Sequence, residues 1–126
     1  MRPVMRRDER GAVTAEIALA LPVLAAVLLA MVWLLTLGLA QMRVTDAARE
    51  AARAAARGDG TARAEQLART AAPGARVEVV TEGGVVKVRV STVQRPPGGL
   101  LGHLGEATLS AEAEGLVEGV SGGADP

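Results

Sequence analysis

An uncharged run from Ile17 to Met42 is the feature that most constrains how this chain of 126 residues can fold. As an α-helix rising about 1.5 Å per residue, the stretch 17–40 is roughly 36 Å long. The hydrocarbon core of a bilayer is about 30 Å thick, so such a helix crosses it with some tilt. Pro22 lies in the first turns of the run, and membrane helices tolerate proline. The sequence therefore predicts a transmembrane helix over residues 12–42.

A short basic leader, residues 1–11, precedes this helix. It carries four arginines against two acids, Asp8 and Glu9. The excess of positive charge predicts a cytoplasmic N-terminus. Arginines also follow the run, so the charge bias alone does not decide the orientation, but the shortness of the leader favours the same assignment. We therefore expect a single-pass protein of the cell membrane whose C-terminal part lies outside the cytoplasm. The leader arginines are Arg2, Arg6, Arg7 and Arg10.

The composition excludes several classes of protein. The formal net charge is zero, which argues against a partner made of nucleic acid. The absence of cysteine excludes disulfides, cysteine-ligated zinc and thiol catalysis. Aromatic residues make up only 1 % of the chain, so the part outside the membrane can bury little apolar surface. We expect that part to be marginally stable alone and to be stabilised by assembly with other subunits.

Residues 43–57 are predicted to continue as a helical stalk, because Ala, Arg and Glu are strong helix formers. Opposite charges recur at three- or four-residue spacing, as in Glu50 and Arg53. Two interpretations of its alanines stay open: a solvated helix with ordinary ion pairs, or a stalk whose alanine face packs against other subunits. Gly58 and Gly60 then end the helix. The alanines of this face are Ala47, Ala48, Ala51, Ala52, Ala55 and Ala56.

A second, shorter helix is predicted from Thr61 to about Ala72. Thr61 is its expected N-cap, and Pro73 follows its end. Residues 58–118, which include this helix, form the predicted small extracytoplasmic domain. The Gly-rich end, residues 119–126, is predicted to be a disordered tail.

The clearest β signal lies in RVEVVTE, residues 76–82, and VVKVRVSTV, residues 85–93. Two glycines separate these segments, which is typical of a two-residue hairpin turn. One register collects valine pairs on one face and places opposite charges on the other, and a slip of one residue would spoil both faces. The predicted pairs are Glu82 with Val85, Val79 with Val88, Val77 with Val90, and Glu78 with Arg89.

A third strand is predicted at Ala107–Ala113, where small or apolar residues alternate with polar ones. The loop 95–99 precedes it. The predicted fold is therefore α+β: a long N-terminal transmembrane helix continuing as a stalk, a short second helix, and a small antiparallel sheet made of the hairpin and one more strand.

A search for catalytic chemistry finds none. His103, the single histidine, sits in a Gly-flanked loop with no second histidine or cysteine to complete a metal site. No serine has the context of an activated nucleophile, and no glycine-rich phosphate loop is present. Glu112 and Glu114 could resemble paired carboxylates, but they fit better as the solvent face of a strand. We therefore expect that the protein is not an enzyme and that it binds no metal, cofactor or small-molecule substrate.

The acid before the apolar run, Glu16, and the glycine before it, Gly11, suggest processing. A cut after Gly11 would make Ala12 the new N-terminus, with an α-amine that is positive below its usual pKa of about 8. A carboxylate at a membrane edge favours such a partner, on its own chain or on a neighbour. Glycine at the cut would leave the backbone extended and accessible to a protease. The simpler alternative for Glu16 is an acid favoured by the helix dipole and nothing more.

The segment RGAVTAEIALALPVL resembles the class III signal of type IV pilin-like proteins, and with VTDAAREAARAAARG after the helix it resembles the TadE-like pilus assembly family, particularly its short actinobacterial minor-pilin type. The resemblance implies a prepilin peptidase that cuts between Gly11 and Ala12, with Glu16 as the acid needed for processing or assembly. It also implies a minor pilin or pseudopilin of the tight-adherence pilus, with roles in adhesion and secretion. The implied partners are the peptidase, other pilins or pseudopilins, and the membrane.

Two alternatives remain open. Ordinary signal peptidase could cut after Ala40, where Gly38-Leu39-Ala40 fits the small-x-small rule, and release a soluble binding module beginning at Gln41. The apolar run is longer than the roughly 7–15 residues usual for such a signal. The chain could also be an uncleaved single-pass anchor of another envelope complex.

Overall fold

A computed structural model describes residues 8–97, 102 and 105–119 of the chain. It contains two helices and three strands in the order α1 (Asp8–Ala56), α2 (Thr61–Ala71), β1 (Arg76–Glu82), β2 (Val85–Gln94) and β3 (Ala107–Leu116). The predicted α+β fold, with its long apolar helix, short second helix and small antiparallel sheet, is confirmed. Three features of the sequence lie outside the described residues: the arginines before residue 8, His103, and the predicted tail beyond residue 119.

The chain divides into two compact units, residues 1–35 and 36–126, and α1 contributes to both. Helix α1 ends at Ala56 because Gly58 adopts a left-handed backbone, with φ of 84°. The Gly58 N–H donates to the Ala55 carbonyl and the Asp59 N–H donates to the Ala54 carbonyl, each at 3.1 Å. This pair of bonds is the Schellman arrangement that closes many helices.

Helix α2 begins differently from the prediction. Its N-cap is Gly60, with φ of 91° and no side-chain capping bond, and Thr61 is already the first helical residue. The expectation that Thr61 caps this helix is wrong. The Gly60 carbonyl instead accepts the first helical hydrogen bond, from the Ala64 N–H at 3.1 Å. Glycine takes this backbone conformation without steric cost, which displaces the cap by one residue.

The sheet has the order β1-β2-β3, and both pairings are antiparallel. The hairpin register is the predicted one, from the pair Glu82–Val85 onward, and both turn glycines have positive φ. Strand β3 ends at Leu116, beyond the predicted Ala113. Although Glu78 and Arg89 are Cα partners, the Arg89 guanidinium bonds Glu112 on β3, at 2.6 Å. The predicted ion pair across the hairpin is therefore replaced by one across β2 and β3.

The core of the second unit lies between its two helices and the sheet. Three fully buried valines of β2 line it from one side, and small residues of α1 and α2 line it from the other. The expectation that the alanine face meets other subunits is wrong, and so is the alternative of a solvated face, because the chain's own packing covers it. The core residues are Val44, Ala47, Ala48, Ala51, Ala52, Ala54, Ala64, Ala68, Ala72, Ala75, Val86, Val88 and Val90.

Residues 41–56 of α1 run alongside β3 and in the same direction. Near one end, the Gln41 side-chain amide donates to the Ser110 carbonyl at 3.1 Å. At the other end, the Glu118 N–H donates to the Ala56 carbonyl at 2.9 Å. Between them, a Cβ added at Gly115 would lie 3.1 Å from the Ala52 carbonyl oxygen. Residues 41–56 of α1 are thus hydrogen-bonded to Ser110 within β3 and to Glu118 just after it.

Candidate functional site

The predicted processing segment lies in the first turns of α1. Gly11, Ala12 and Glu16 are all helical and all exposed. The Thr14 hydroxyl donates to the Arg10 carbonyl at 2.9 Å, a bond typical of a helix interior. The expectation of an extended backbone at Gly11 is therefore wrong for the free chain, and the Gly11–Ala12 peptide bond lies inside a helical turn.

Two properties of this segment still favour access. A Cβ placed on Gly11 would meet nothing within 4 Å, so no other described part of the chain shields the bond after it. Glycine is also about 1 kcal/mol less favourable than alanine in a helix interior. Gly11 therefore makes the turn of α1 around it easier to unwind.

Glu16 stands four residues after Ala12, and this spacing places both residues on one side of α1. None of the ion pairs among residues 8–97 and 105–119 involves Glu16. The structure thus brings Ala12 and Glu16 to neighbouring positions on one exposed helical surface, directly before the apolar run.

The apolar run itself is an exposed surface. Among the described helices, α1 alone is long and apolar enough to cross a membrane by length and composition, with a mean hydropathy of 2.7 in its most apolar window. Most of its large side chains are exposed, and Trp33 is a buried exception. Such a surface is unfavourable in water and favourable in lipid or against apolar partners. The exposed side chains include Leu19, Leu21, Val23, Leu24, Leu28, Met31, Leu34 and Leu35.

A charged ladder covers the solvent face of the sheet. Glu112 accepts hydrogen bonds from Arg89, and Lys87 lies 3.0 Å from Glu114 and 3.7 Å from Glu112. The bond from Arg89 holds the pKa of Glu112 below its ordinary value, and the bond to Glu114 raises the pKa of Lys87. Each acid of the ladder is paired with a base, so the ladder resembles a surface ion-pair network.

No group of three or more His, Asp or Glu side chains that could hold a metal ion occurs within the part of the chain that the structure describes.

Ordinary signal peptidase could cut between Ala40 and Gln41, and this bond lies inside the second compact unit. Ala40 is 6 % exposed, and the next residue, Gln41, donates to Ser110 on β3. Sequence reasoning treated Gln41 only as a possible new N-terminus. Its contact lies 69 residues away along the chain, so no local pattern could have revealed it.

Comparison with known proteins gives one family. Residues 11–53 match the family model described as TadE-like protein. No curated protein and no solved structure matches the chain. The match begins at Gly11, includes Glu16 and the whole apolar run, and ends near the close of α1. Residues 11–53, about a third of the chain, are therefore similar to the TadE-like family.

Proposed function

We propose that the protein is a membrane-anchored minor pilin or pseudopilin, a structural subunit of the tight-adherence pilus apparatus. The observation that carries this proposal is the family match over residues 11–53, which supports a pilin-like protein related to that pilus. The exposed apolar surface of α1 supports the membrane anchor. In this proposal the leader is cytoplasmic, the sheet is extracytoplasmic, and the chain enters the pilus or its assembly platform without catalysing a reaction.

Processing by a prepilin peptidase after Gly11 is the first step. Proteases generally bind their substrates in an extended form, so the first turns of α1 unwind before the bond is cut. Gly11 lowers the cost of this unwinding, and the absence of neighbours around it leaves room for the enzyme. The cut removes the leader and leaves Ala12 with a free, positively charged amine.

Assembly uses the two charges that processing brings together. Glu16 is an exposed carboxylate at the membrane edge, where an unpaired charge is costly. The new amine of Ala12 on a neighbouring subunit is a suitable partner, because pairing neutralises both groups in a poorly solvated setting. A pairing of this kind sets the axial register between adjacent subunits.

The alternative of release by ordinary signal peptidase fits the fold less well. A cut after Ala40 would sever α1 at a buried position and would detach residues 36–40 from the compact unit to which they belong. The uncleaved anchor remains a distinct alternative, because it needs no change in the fold.

Intact-mass analysis of the protein from cell envelopes tests the three alternatives. The proposal expects a mature chain that starts at Ala12; a chain starting at Gln41 or at Met1 would contradict it. Gly11→Leu should retain the leader, whereas Gly38→Leu, at another glycine with nothing within 4 Å of its Cβ, should be processed normally.

Glu16→Ala tests the assembly step. The variant should insert into the membrane as well as the wild type but should lower the amount of pili recovered from the cell surface. Glu50→Ala removes a carboxylate that pairs with Arg53 in the far part of the same helix and serves as the control. Normal pilus yield with Glu16→Ala would refute the assigned role.

A further inference from the structure

A cleft with a basic side chain lies in the second compact unit, next to the last residues of the apolar run. The function proposed above gives this cleft no role. Arg43 is the first charged residue after the run, and it is exposed. We propose that Arg43, together with Thr92 and Gln94, binds the phosphate of an anionic lipid headgroup in the leaflet next to this unit. The proposal rests on the membrane anchoring proposed above and adds a lipid ligand to it.

The length of the apolar run places Arg43 at headgroup depth. From Ile17 to Arg43 a helix rises about 39 Å, and a tilt of about 20° reduces this to about 37 Å. A hydrocarbon core of about 30 Å with headgroup layers reaches about 40–45 Å in total. With Ile17 at one edge of the hydrocarbon, the Arg43 backbone lies at the outside of the opposite headgroup layer. Helical side chains tilt toward the N-terminus, so the guanidinium points back toward the lipid.

The cleft supplies donors and apolar walls together. Its volume is about 50 Å³, and Arg43, Thr92 and Gln94 line it with Ala40 and Pro73. A guanidinium, a hydroxyl and a primary amide can all donate to phosphate oxygens. No carboxylate lines the cleft, and none of the ion pairs among the described residues uses Arg43. The guanidinium is therefore available to an external anion, and the apolar walls suit the glycerol region of a lipid.

Charge along the sheet supports the same orientation. Arg76 on β1 is opposite Ser91 on β2, which is opposite Ser110 on β3. The Ser110 carbonyl accepts a hydrogen bond from the Gln41 side chain, so Arg76 lies at the end of the sheet near the apolar run. At the opposite end, close to the hairpin turn, stand the acid Glu82 and the ion pair of Glu114 with Lys87; at the end of Arg76, the acid Glu106 is paired with Arg95. A basic end attracts anionic lipid, and an acidic end is repelled by it.

The test uses the full chain in nanodiscs of phosphatidylglycerol or phosphatidylcholine. Hydrogen exchange at residues 92–94 should be slower in phosphatidylglycerol, and native mass spectrometry should show retained phosphatidylglycerol. One arginine near an anionic surface contributes roughly fivefold to binding, so Arg43→Gln should reduce retention about fivefold. Arg49→Gln removes an exposed arginine two turns farther along α1 and should change retention little. Thr92→Val provides a second variant within the cleft.

Three outcomes would overturn the proposal. Equal retention by Arg43→Gln and the wild type would exclude Arg43 as a ligand. Equal protection by inorganic phosphate in phosphatidylcholine nanodiscs would identify a free-phosphate site in place of a lipid site. Failure of the wild type to insert, measured by carbonate extraction, would refute the anchoring itself; normal insertion without lipid preference would refute only the headgroup site.

Discussion

The two parts of α1, before and after residue 35, have the same backbone conformation and opposite surroundings. Before residue 35, large aliphatic side chains are exposed: Leu19 is 73 % exposed and Leu34 is 64 % exposed. After it, alanines such as Ala48 and Ala51 are fully buried. The more hydrophobic part is therefore the part that its own chain leaves uncovered. Hydrophobicity alone does not identify a core, because the medium can be lipid as well as protein.

Side-chain size explains the difference. Val44, Ala47, Ala48, Ala51 and Ala52 recur at the spacing of one helical face, and their small volume lets the sheet approach the helix closely. Before residue 35 most large side chains are exposed, with Trp33 as an exception, as expected of a helix whose surroundings are mainly lipid. Four tests follow, and the first three compare matched substitutions at two positions of the molecule.

The largest expected effect is on insertion. Leu28→Arg places a charge near the middle of the apolar run, at a cost of about 2.5–3.5 kcal/mol on insertion scales. Met42→Arg places the same charge at the end of the run, where the headgroups solvate it. Membrane insertion measured by carbonate extraction should fall for the first variant and hold for the second. Equal insertion of both would mean that this part of α1 does not face lipid.

A matched pair of enlargements distinguishes lipid from a packed core. Ala51→Leu adds volume at a fully buried position and should lower the free energy of unfolding of the second unit by about 1–3 kcal/mol. Ala25→Leu adds the same volume at an exposed position of the apolar run and should have little effect. Hydrogen exchange of β2 in detergent reports the difference. Similar protection in both variants would contradict the burial of the alanine face.

Replacing two glycines by alanine should change the stability of the protein in opposite directions. A methyl group at Gly115 would lie 3.1 Å from both the Ala52 oxygen and the Ala56 Cβ, so Gly115→Ala should destabilise the unit by about 1 kcal/mol. Gly38→Ala meets nothing within 4 Å and should stabilise the helix by up to about 1 kcal/mol. Shifts in midpoint temperature of the same sign would refute the close approach at Gly115.

The charged ladder should give the smallest effect, as a weak dependence of stability on pH. Because the pKa of Glu112 is lowered on folding, its contribution is complete above the ordinary value of 4.5 and is lost as the pH falls through the folded value. Because the pKa of Lys87 is raised, its contribution is complete below the ordinary value of 10.5 and is lost as the pH rises through the folded value. Thermal unfolding of Glu112→Gln should lack the acidic loss; an unchanged acid profile would contradict the pairing with Arg89.

Local patterns predicted the elements of the fold well. The hairpin could be predicted because Gly83 and Gly84 fix the turn and the alternation of valine fixes the register. The apolar run and the alanine-rich helix followed from composition and from the terminating Gly58. The prediction that Thr61 is the N-cap of α2 was wrong because Gly60, with its positive φ, occupies that position.

Contacts between distant segments could not be predicted. Alanine side chains can pack against many different surfaces, so the sequence did not indicate what covers the alanine face. The structure shows that the sheet covers it. Arg89 has acids on both neighbouring strands, Glu78 and Glu112, and side-chain geometry selects the second. For the candidate site, the positions of Gly11 and Glu16 came from the leader and the family resemblance, whereas the helical state of Gly11 did not.

The bonds at Ser110 and Glu118 have a mechanical consequence for a subunit that is held by its helix. Because residues 41–56 of α1 are bonded to Ser110 and to Glu118, a pull along the helix axis is shared by the two bonds. The alanine packing between them resists sliding at the same time. A pull on the helix of this unit would therefore reach the sheet through two bonds and the alanine packing between them, and not through one contact alone.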